Sequence, residues 1–261
     1  MAVKMQPINQ KPALDYGSGK CPICGGNGWE VYSEVDNNMY AKPTELDFAR
    51  PCSRCSGDRR NSDRTGIPDE YLNADISKFD FNIYTVNMSQ MQKLLRSFFE
   101  RFKEWQSKGK GIYLWSKTPG SGKTFLACCI ARSAMIKYDL QMRFITAPDY
   151  ISLVGENIKR ERGEIDTSKV YRECALLILD DIGSQIDKQW QQQEMLKLLN
   201  ERKKYNRVTI FTSNMPIEQL NVDDRSKSRI IAMTVVLQMP EESIRLKNAK
   251  LEQDEFLKEI L

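Results

Sequence analysis

The chain has 261 residues, a formal net charge of +4 and 41% hydrophobic residues. It contains no histidine, which excludes every mechanism that needs an imidazole and leaves sulfur or oxygen as the ligands of any metal. The longest apolar run, 174–179, is too short to cross a bilayer, and the N-terminus lacks an apolar signal core. We therefore expect a cytoplasmic protein with one sizeable α/β core and a smaller appendage.

Four of the seven cysteines lie near the N-terminus in two CxxC pairs. The motifs CPICGG and CSRCSG each place two thiols three residues apart, with a glycine two residues after the second thiol. Such turns direct backbone amides toward thiolate sulfurs, and two of them complete a tetrahedral set suited to Zn²⁺. Disulfides are the alternative, which a cytosolic setting disfavours. The sequence thus predicts a structural zinc site formed by Cys21, Cys24, Cys52 and Cys55.

The cysteine pairs define a small module in front of a larger domain. We expect a flexible N-terminus at 1–20, a zinc-binding partner-interaction module at 21–65 and an α/β domain at 66–261. The wide gap between the two pairs predicts strands between them. Four thiolates close the coordination sphere and leave no position for substrate water, so the predicted role of the module is binding. Its second possible contact is DNA, through Arg50, Arg54, Arg59 and Arg60.

From residue 88 onward the hydrophobic pattern predicts alternating helices and strands. Apolar residues recur at helical spacing from Met88 to Trp105, which predicts one amphipathic helix that ends near Gly109. Strands are predicted at 111–116, 142–147, 174–180, 207–214 and 233–239. Helices are predicted at 122–138, 148–159, 191–205 and 223–231 and from 241. This alternation predicts a parallel sheet covered on both faces by helices.

The segment TPGSGKT at 118–124 lies between a predicted strand and a predicted helix, as a phosphate-binding loop does. Its two glycines allow backbone N–H groups to turn toward a β-phosphate. Lys123 would neutralise the β and γ oxygens, and Thr124 would offer its hydroxyl to Mg²⁺. Lys117 stands where such a loop usually begins with glycine, which weakens the pattern more than the chemistry. The candidate ATP-binding residues are Pro119, Gly120, Ser121, Gly122, Lys123, Thr124 and Phe125.

A second acidic element is expected on a neighbouring strand, and LLILDD at 176–181 supplies it. The strand would deliver Asp180 to the carboxyl end of the sheet to hold Mg²⁺, and Asp181 would polarise the attacking water. An aspartate pair at a strand end can also merely cap a turn. The next strand ends at Asn214. At a strand tip between the loop and the acidic strand, its amide can orient water toward the γ-phosphate. With the arginine-containing helix DDRSKSRII that follows, this order is the arrangement of an AAA+ ATPase.

Five segments together resemble the DnaC/DnaI family of replicative helicase loaders, which is close to the IstB transposition helpers. They are TGIPDEYLNADISKFD, TPGSGKTFLA, LLILDDIG, TIFTSNMP and DDRSKSRI, and the resemblance covers roughly residues 66 to 250. It implies an AAA+ P-loop fold, ATP and Mg²⁺ binding and self-assembly through the ATP sites. It also implies contact with single-stranded DNA and delivery of a ring helicase to DNA.

The resemblance assigns roles to individual residues. For the two Walker elements and the sensor 1 position, the matching residues are Lys123, Thr124, Asp180, Asp181 and Asn214. Arg229 resembles the arginine finger that reaches a neighbouring subunit's ATP, and Arg225, one turn earlier, is the competing candidate. Arg245 in ESIRLK resembles the sensor 2 arginine. Each arginine could instead be a surface or salt-bridge residue.

The resemblance also suggests partners for the remaining segments. Similar loaders grip the helicase with an N-terminal zinc module, which is the first assignment for 21–65. The segment 157–169 corresponds to the place where initiator proteins carry a helix that tracks a phosphate backbone. A solvated charged loop is the alternative reading of that segment. The candidate DNA-binding residues are Lys159, Arg160 and Arg162.

The leading hypothesis is an ATP-dependent replication protein that loads a ring-shaped helicase onto single-stranded DNA. An IstB-like transposition helper has the same motifs and differs in its partner. An ATP-binding DNA adaptor that hydrolyses ATP weakly also fits, because Asp181 is shorter than the usual glutamate and Lys117 replaces a glycine. A small-molecule phosphotransferase shares the loop but has no use for Asn214 or for an arginine from a second subunit.

Overall fold

The chain divides into two compact units, 1–64 and 65–261. The computed structural model describes the backbone of two segments in the first unit, 29–36 and 44–51. In the second unit it describes residues 65–158, 166–183 and 186–260.

The first unit contains a pair of antiparallel strands, β1 (Trp29–Asp36) and β2 (Thr44–Pro51), with Trp29 opposite Pro51 and Asp36 opposite Thr44. The sequence predicts strands between the two cysteine pairs, and this prediction is confirmed. The predicted zinc site lies outside the described residues, as do its ligands Cys21, Cys24, Cys52 and Cys55.

The second unit is built on a five-stranded sheet whose paired strands are all parallel. The strands are β3 (Gly111–Trp115), β4 (Met142–Thr146), β5 (Leu176–Asp180), β6 (Val208–Ser213) and β7 (Thr234–Gln238). In space they lie in the order β4, β5, β6, β3 and β7. The predicted parallel sheet is therefore confirmed.

The acidic strand β5 does not pair with β3, which leads into the phosphate loop: β6 lies between them and pairs with both. The sequence predicts that the strand tip at Asn214 lies between the loop and the acidic strand, and this prediction is confirmed. Hydrophobic periodicity identifies strands but does not fix their order, because the crossover connections decide it. The polar residues at the end of β6 consequently lie between the loop and the acidic pair.

Helices connect the strands and flank the sheet. The longer ones are α1 (Ser89–Glu100), α3 (Lys123–Tyr138), α4 (Ala147–Ile158), α6 (Gln189–Lys204), α7 (Asp224–Met233) and α8 (Ile244–Ile260). Two short helices, α2 (Phe102–Ser107) and α5 (Lys169–Glu173), complete the described set. The element α5 is not predicted by the sequence, because one helical turn gives too short a periodic pattern.

The single helix predicted between Met88 and Gly109 is wrong in one respect: it is interrupted at Arg101. Arg101 has φ −114° and ψ 30°, outside the helical range, so α1 ends before it and α2 begins after it. Both Phe98 and Phe102 are fully buried, with their rings edge to face and their centroids 5.5 Å apart. Apolar residues from both helices belong to the same core on either side of this break, a tertiary effect that overrides local periodicity.

The core lies on both faces of the sheet because alternate strand residues point to opposite sides. Ile112 and Leu114 pack with α1 and α3 on one face, whereas Tyr113 packs with α4, α6 and α7 on the other. Helix α3 is buried around most of its circumference, which fits its place against the centre of the sheet. The three later cysteines, Cys128, Cys129 and Cys174, are buried core residues, as predicted.

Within the described part of the chain, no helix is long and apolar enough to span a membrane.

Candidate active site

The phosphate loop joins the end of β3 to the first residue of α3. Gly120 and Gly122 have φ values of 74° and 88°, a left-handed conformation that favours glycine. A Cβ atom on Gly122 would lie 2.8 Å from Tyr84 Oη, so a side chain there would also require Tyr84 to move. Lys117 has no positive φ, and its exposed position does not require glycine. The replacement of the outermost glycine is therefore compatible with the loop.

Lys123 lies inside the loop and is only 8% exposed. Its Nζ donates to Ser116 O at 3.3 Å, to Thr118 O at 3.1 Å and to Ser121 Oγ at 3.2 Å. Burial lowers the pKa of Lys123, and the nearby carboxylates of Glu241, Asp180 and Asp181 oppose that shift. The loop thus surrounds its own lysine with oxygen acceptors, and phosphate oxygens are acceptors of the same kind.

Asp180, at the end of β5, links the acidic strand to the phosphate loop. Its Oδ1 accepts hydrogen bonds from Thr124 Oγ1 at 2.9 Å and from Thr212 Oγ1 at 2.5 Å. Burial raises the pKa of Asp180, while the hydrogen bonds from the two threonines lower it. The predicted Mg²⁺ ligands Thr124 and Asp180 are therefore in direct contact. A hydroxyl and a carboxylate are oxygen donors of the kind that Mg²⁺ prefers.

Asp181 begins the turn after β5. It has a φ of 54°, and its backbone N–H donates to Thr212 Oγ1 at 2.9 Å. Its Oδ1 accepts a hydrogen bond from Asn214 Nδ2 at 3.3 Å. The structure thus brings Lys123, Thr124, Asp180, Asp181 and Asn214 to one edge of the sheet.

Thr212 is a functional candidate that the sequence analysis did not select. It is 2% exposed, and its single hydroxyl connects both members of the acidic pair. A threonine near the carboxyl end of β6, two positions before Asn214, is the signal that could have identified it.

The two candidate finger arginines lie on the exposed side of α7. Arg229 Nε donates to Asn200 Oδ1 at 2.8 Å, and one Arg225 nitrogen is 4.0 Å from Asp223 Oδ2. Both side chains belong to exposed residues. Neither contact joins them to the loop or the acidic pair.

Arg245, by contrast, lies beside the phosphate loop of its own chain. Its backbone N–H donates to Gly120 O at 3.2 Å, and a Cβ atom on Gly120 would lie 2.9 Å from Arg245 Cβ. Its charge is one of the influences that lower the pKa of Lys123. The first turn of α8 therefore brings a cation to the loop from more than 100 residues away in the sequence.

The segment before α1 forms the other wall of the site. Tyr84 Oη donates to Ser121 O at 2.7 Å, and Phe79 stacks on Phe125 with centroids 5.8 Å apart. Phe125 thus packs with the aromatic residues of this segment and against the core. A cavity of about 340 Å³ opens beside Tyr84, and it is lined by Phe81, Asn82, Val86, Asn87 and Gln92 among others.

The candidate DNA-binding residues Lys159, Arg160 and Arg162 lie outside the described residues. The chain on either side of them is held together, because Asn157 Nδ2 donates to Asp166 Oδ1 at 3.0 Å. Among residues 65–158, 166–183 and 186–260, no group of three or more cysteine and carboxylate side chains could hold a metal ion. A Mg²⁺ ion at Thr124 and Asp180 would therefore need phosphate and water oxygens to complete its coordination.

A five-stranded parallel sheet with a glycine-rich loop, an adjacent acidic pair and a polar β6 end defines a P-loop ATP-binding domain of the AAA+ class. Residues 57–252 match the family model described as IstB-like ATP binding protein. Because this match covers most of the chain, the protein belongs to that family. It is a DnaC/DnaI-like, IstB-related AAA+ protein.

Individual relatives agree with this class. The replicative helicase loader DnaI of Bacillus subtilis is 28% identical over 114 residues, which are 43% of this chain and 36% of that protein. A crystal structure of the DnaC helicase loader superposes with a TM-score of 0.55 at 23% identity, covering 66% of this chain and all of that one. A structure titled replication initiator DnaA bound to AMPPCP and single-stranded DNA gives 0.54 at 22% identity, covering 73% and 56%. The chain thus spans about a third of the length of DnaI, and the structural matches concern the fold.

Proposed function

We propose that this protein is an AAA+ ATPase that loads a ring-shaped replicative helicase onto single-stranded DNA. The observation that carries the proposal is the direct contact of Thr124 with Asp180 beside Lys123. It joins the phosphate loop to the acidic strand, as a triphosphate–magnesium site requires. The similarity to DnaI, which is named a replicative helicase loader, supports the choice of helicase loading among the tasks of AAA+ proteins.

In the proposed site the backbone N–H groups from Gly120 to Phe125 would surround the β-phosphate of ATP, and Pro119, which has no N–H, would shape the turn before them. Lys123 would exchange its loop acceptors for β and γ oxygens. Thr124 and Asp180 would hold Mg²⁺, which neutralises charge on the same oxygens when bound. The cavity beside Tyr84 has the size and the mixed apolar and amide lining that suit a purine base.

Hydrolysis would use the residues at the ends of β5 and β6. Asp181 would accept a proton from the attacking water, and Asn214, already bonded to Asp181, would orient that water. Arg245 would contact phosphate from within the same chain. Arg229, or Arg225, would stabilise transition-state charge in the site of a second subunit. Hydrolysis would then depend on self-assembly.

The remaining assignments concern partners. We propose that the unit 21–65 binds Zn²⁺ through Cys21, Cys24, Cys52 and Cys55 and grips the helicase. Lys159, Arg160 and Arg162 are proposed to contact single-stranded DNA. The structural likeness to DnaA bound to single-stranded DNA supports a DNA contact on this fold.

The test is an ATPase assay with and without single-stranded DNA, together with a pull-down of a ring helicase. We expect DNA to stimulate hydrolysis and the helicase to be retained. Replacing the four cysteines with serine should abolish retention and the zinc content measured by atomic absorption. Lys123→Ala should weaken ATP binding, because the loop loses its internal cation. Unchanged ATP affinity in Lys123→Ala would contradict the nucleotide site.

A transposition helper is the second candidate, because the matching family model is the IstB-like one. Retention of a transposase in place of a helicase would favour it. The adaptor alternative is tested with Asp181→Asn. Hydrolysis at the same low rate in this variant and in the wild type would identify a DNA adaptor that binds ATP without using Asp181.

A further inference from the structure

Glu241 lies between β7 and α8, and its carboxylate meets the beginning of the phosphate loop. Its Oε1 accepts the Lys117 backbone N–H at 3.0 Å. Its Oε2 accepts the Thr118 N–H and the Thr118 Oγ1, both at 2.8 Å, and the Ser116 Oγ at 3.1 Å. One exposed carboxylate thus holds three consecutive loop residues that are more than 120 positions away in the sequence.

A second contact joins the same segment to the middle of the loop. Gly120 O accepts the backbone N–H of Ile244 at 2.9 Å and that of Arg245 at 3.2 Å. These are the first amides of α8, which have no partner inside their own helix. The loop carbonyl therefore caps α8, while Glu241 fixes the loop. Each element completes the hydrogen bonding of the other.

The charge of Glu241 strengthens this connection. Desolvation raises the pKa of the Glu241 carboxyl, but the hydrogen bonds from Lys117, Thr118 and Ser116 together lower it by more. The pKa of Glu241 therefore lies below its ordinary value. The group is then ionised at neutral pH, and hydrogen bonds to an ionised acceptor are the stronger kind. Its charge is also the foremost of the carboxylate influences on the pKa of Lys123.

The contacts avoid the part of the loop that would face a phosphate. Glu241 holds the N–H groups of Lys117 and Thr118. Pro119 has no N–H, so the N–H groups proposed to bind the triphosphate begin at Gly120. A carboxylate in this position leaves the binding amides free and fixes the turn in front of them. It also explains how the turn is held although its first position is lysine.

We propose that Glu241 is a positioning residue that holds the phosphate loop in its nucleoside-triphosphate-binding shape and ties it to α8. This inference rests on the proposed nucleotide site and deepens it. Without Glu241 the loop has to be ordered when the nucleotide binds, which reduces affinity. Since Glu241 would contact no reacting atom, the saturated rate of hydrolysis should change little.

The experiment compares the full-length wild type with Glu241→Ala, Glu241→Gln and the control Glu252→Ala, an exposed glutamate on α8. ATP with Mg²⁺ is titrated by calorimetry, and kcat and KM are measured. We expect Glu241→Ala to raise the dissociation constant and KM by about tenfold, the equivalent of one charged hydrogen bond, with kcat within about twofold. Glu241→Gln, which keeps one oxygen acceptor, should fall between Glu241→Ala and the wild type. Glu252→Ala should match the wild type.

Hydrogen exchange without nucleotide provides a readout that does not depend on ATP. Glu241→Ala should speed exchange of the amides at 117–118 by about tenfold or more, while the amides of β3 keep their protection. If the wild type binds no ATP, the proposed function fails. Faster exchange in Glu241→Ala would still show that the hydrogen bonds of Glu241 hold the loop. Wild-type exchange together with wild-type affinity in Glu241→Ala would overturn the inference. A fall in kcat with unchanged KM would also overturn it, because Glu241 would then act on the reaction itself.

Discussion

Replacing Thr212 with valine tests the connection between the two aspartates most directly. The side chains have nearly the same shape, but valine cannot donate to Asp180 Oδ1 or accept the Asp181 N–H. A hydrogen bond to a charged group contributes about 1.5–3 kcal/mol, and a neutral one about 1 kcal/mol. Thr212 is buried, so solvent does not replace the lost partners. We expect Thr212→Val to lower the free energy of unfolding by about 2.5–4 kcal/mol.

The measurement is urea unfolding followed by circular dichroism, with Thr212→Ser as the matched control. Serine keeps the hydroxyl and loses one methyl group, which should cost about 1 kcal/mol. If Thr212→Val lost no more stability than Thr212→Ser, the hydroxyl would not hold the acidic pair, and the reasoning would be refuted.

The loss of stability in Thr212→Val should change with pH in a defined direction. Burial already raises the pKa of Asp180 above its unfolded value, and Thr212 is the foremost contact that lowers it. Removing Thr212 raises the pKa of folded Asp180 further. A carboxyl whose pKa is higher in the folded state loses stabilisation as pH rises from the unfolded pKa through the folded one. The deficit of Thr212→Val relative to Thr212→Ser should therefore be larger at about pH 7 than at about pH 4.

Three further variants address other parts of the molecule. Asp181→Asn should lower kcat for ATP by about a hundredfold or more while ATP still binds, because a general base contributes about 10²–10⁴-fold; an unchanged kcat would exclude Asp181 as the base. Gly122→Ala should lower the free energy of unfolding by about 1–2 kcal/mol for its left-handed backbone alone, and a thermal scan should show a reduced Tm; a wild-type Tm would mean that alanine adopts this backbone conformation without strain. Arg202→Met should lower the free energy of unfolding in urea by at least about 3 kcal/mol, because the fully buried guanidinium donates hydrogen bonds to the carbonyls of Tyr171, Cys174 and Val208. A loss below about 1 kcal/mol would mean that those carbonyls find other donors.

The sequence predicts the parts of this fold that depend on local pattern. Each strand of the sheet is a short apolar run, and the glycines, Lys123 and Thr124 follow one of these runs at fixed spacing. The carboxyl ends of parallel strands meet at one edge of the sheet. This geometric rule was enough to predict that Asp180 and Asn214 would lie near the phosphate loop.

Features that depend on distant contacts could not be predicted in the same way. The break at Arg101 accompanies the packing of Phe98 against Phe102. Glu241 gives no local signal, because a glutamate before a helix is common. Only the folded chain brings its carboxylate to Thr118, 123 positions away.

The left-handed backbone of Asp181 limits how this site can change over evolutionary time. Aspartate and asparagine enter that conformation more readily than longer side chains do. A glutamate would extend the carboxylate by one methylene group, but it would also have to adopt a φ of 54° or remodel the turn. Selection for a longer acid at this position would therefore act on the whole strand end. The length of the acidic side chain and the backbone conformation at position 181 therefore have to change together.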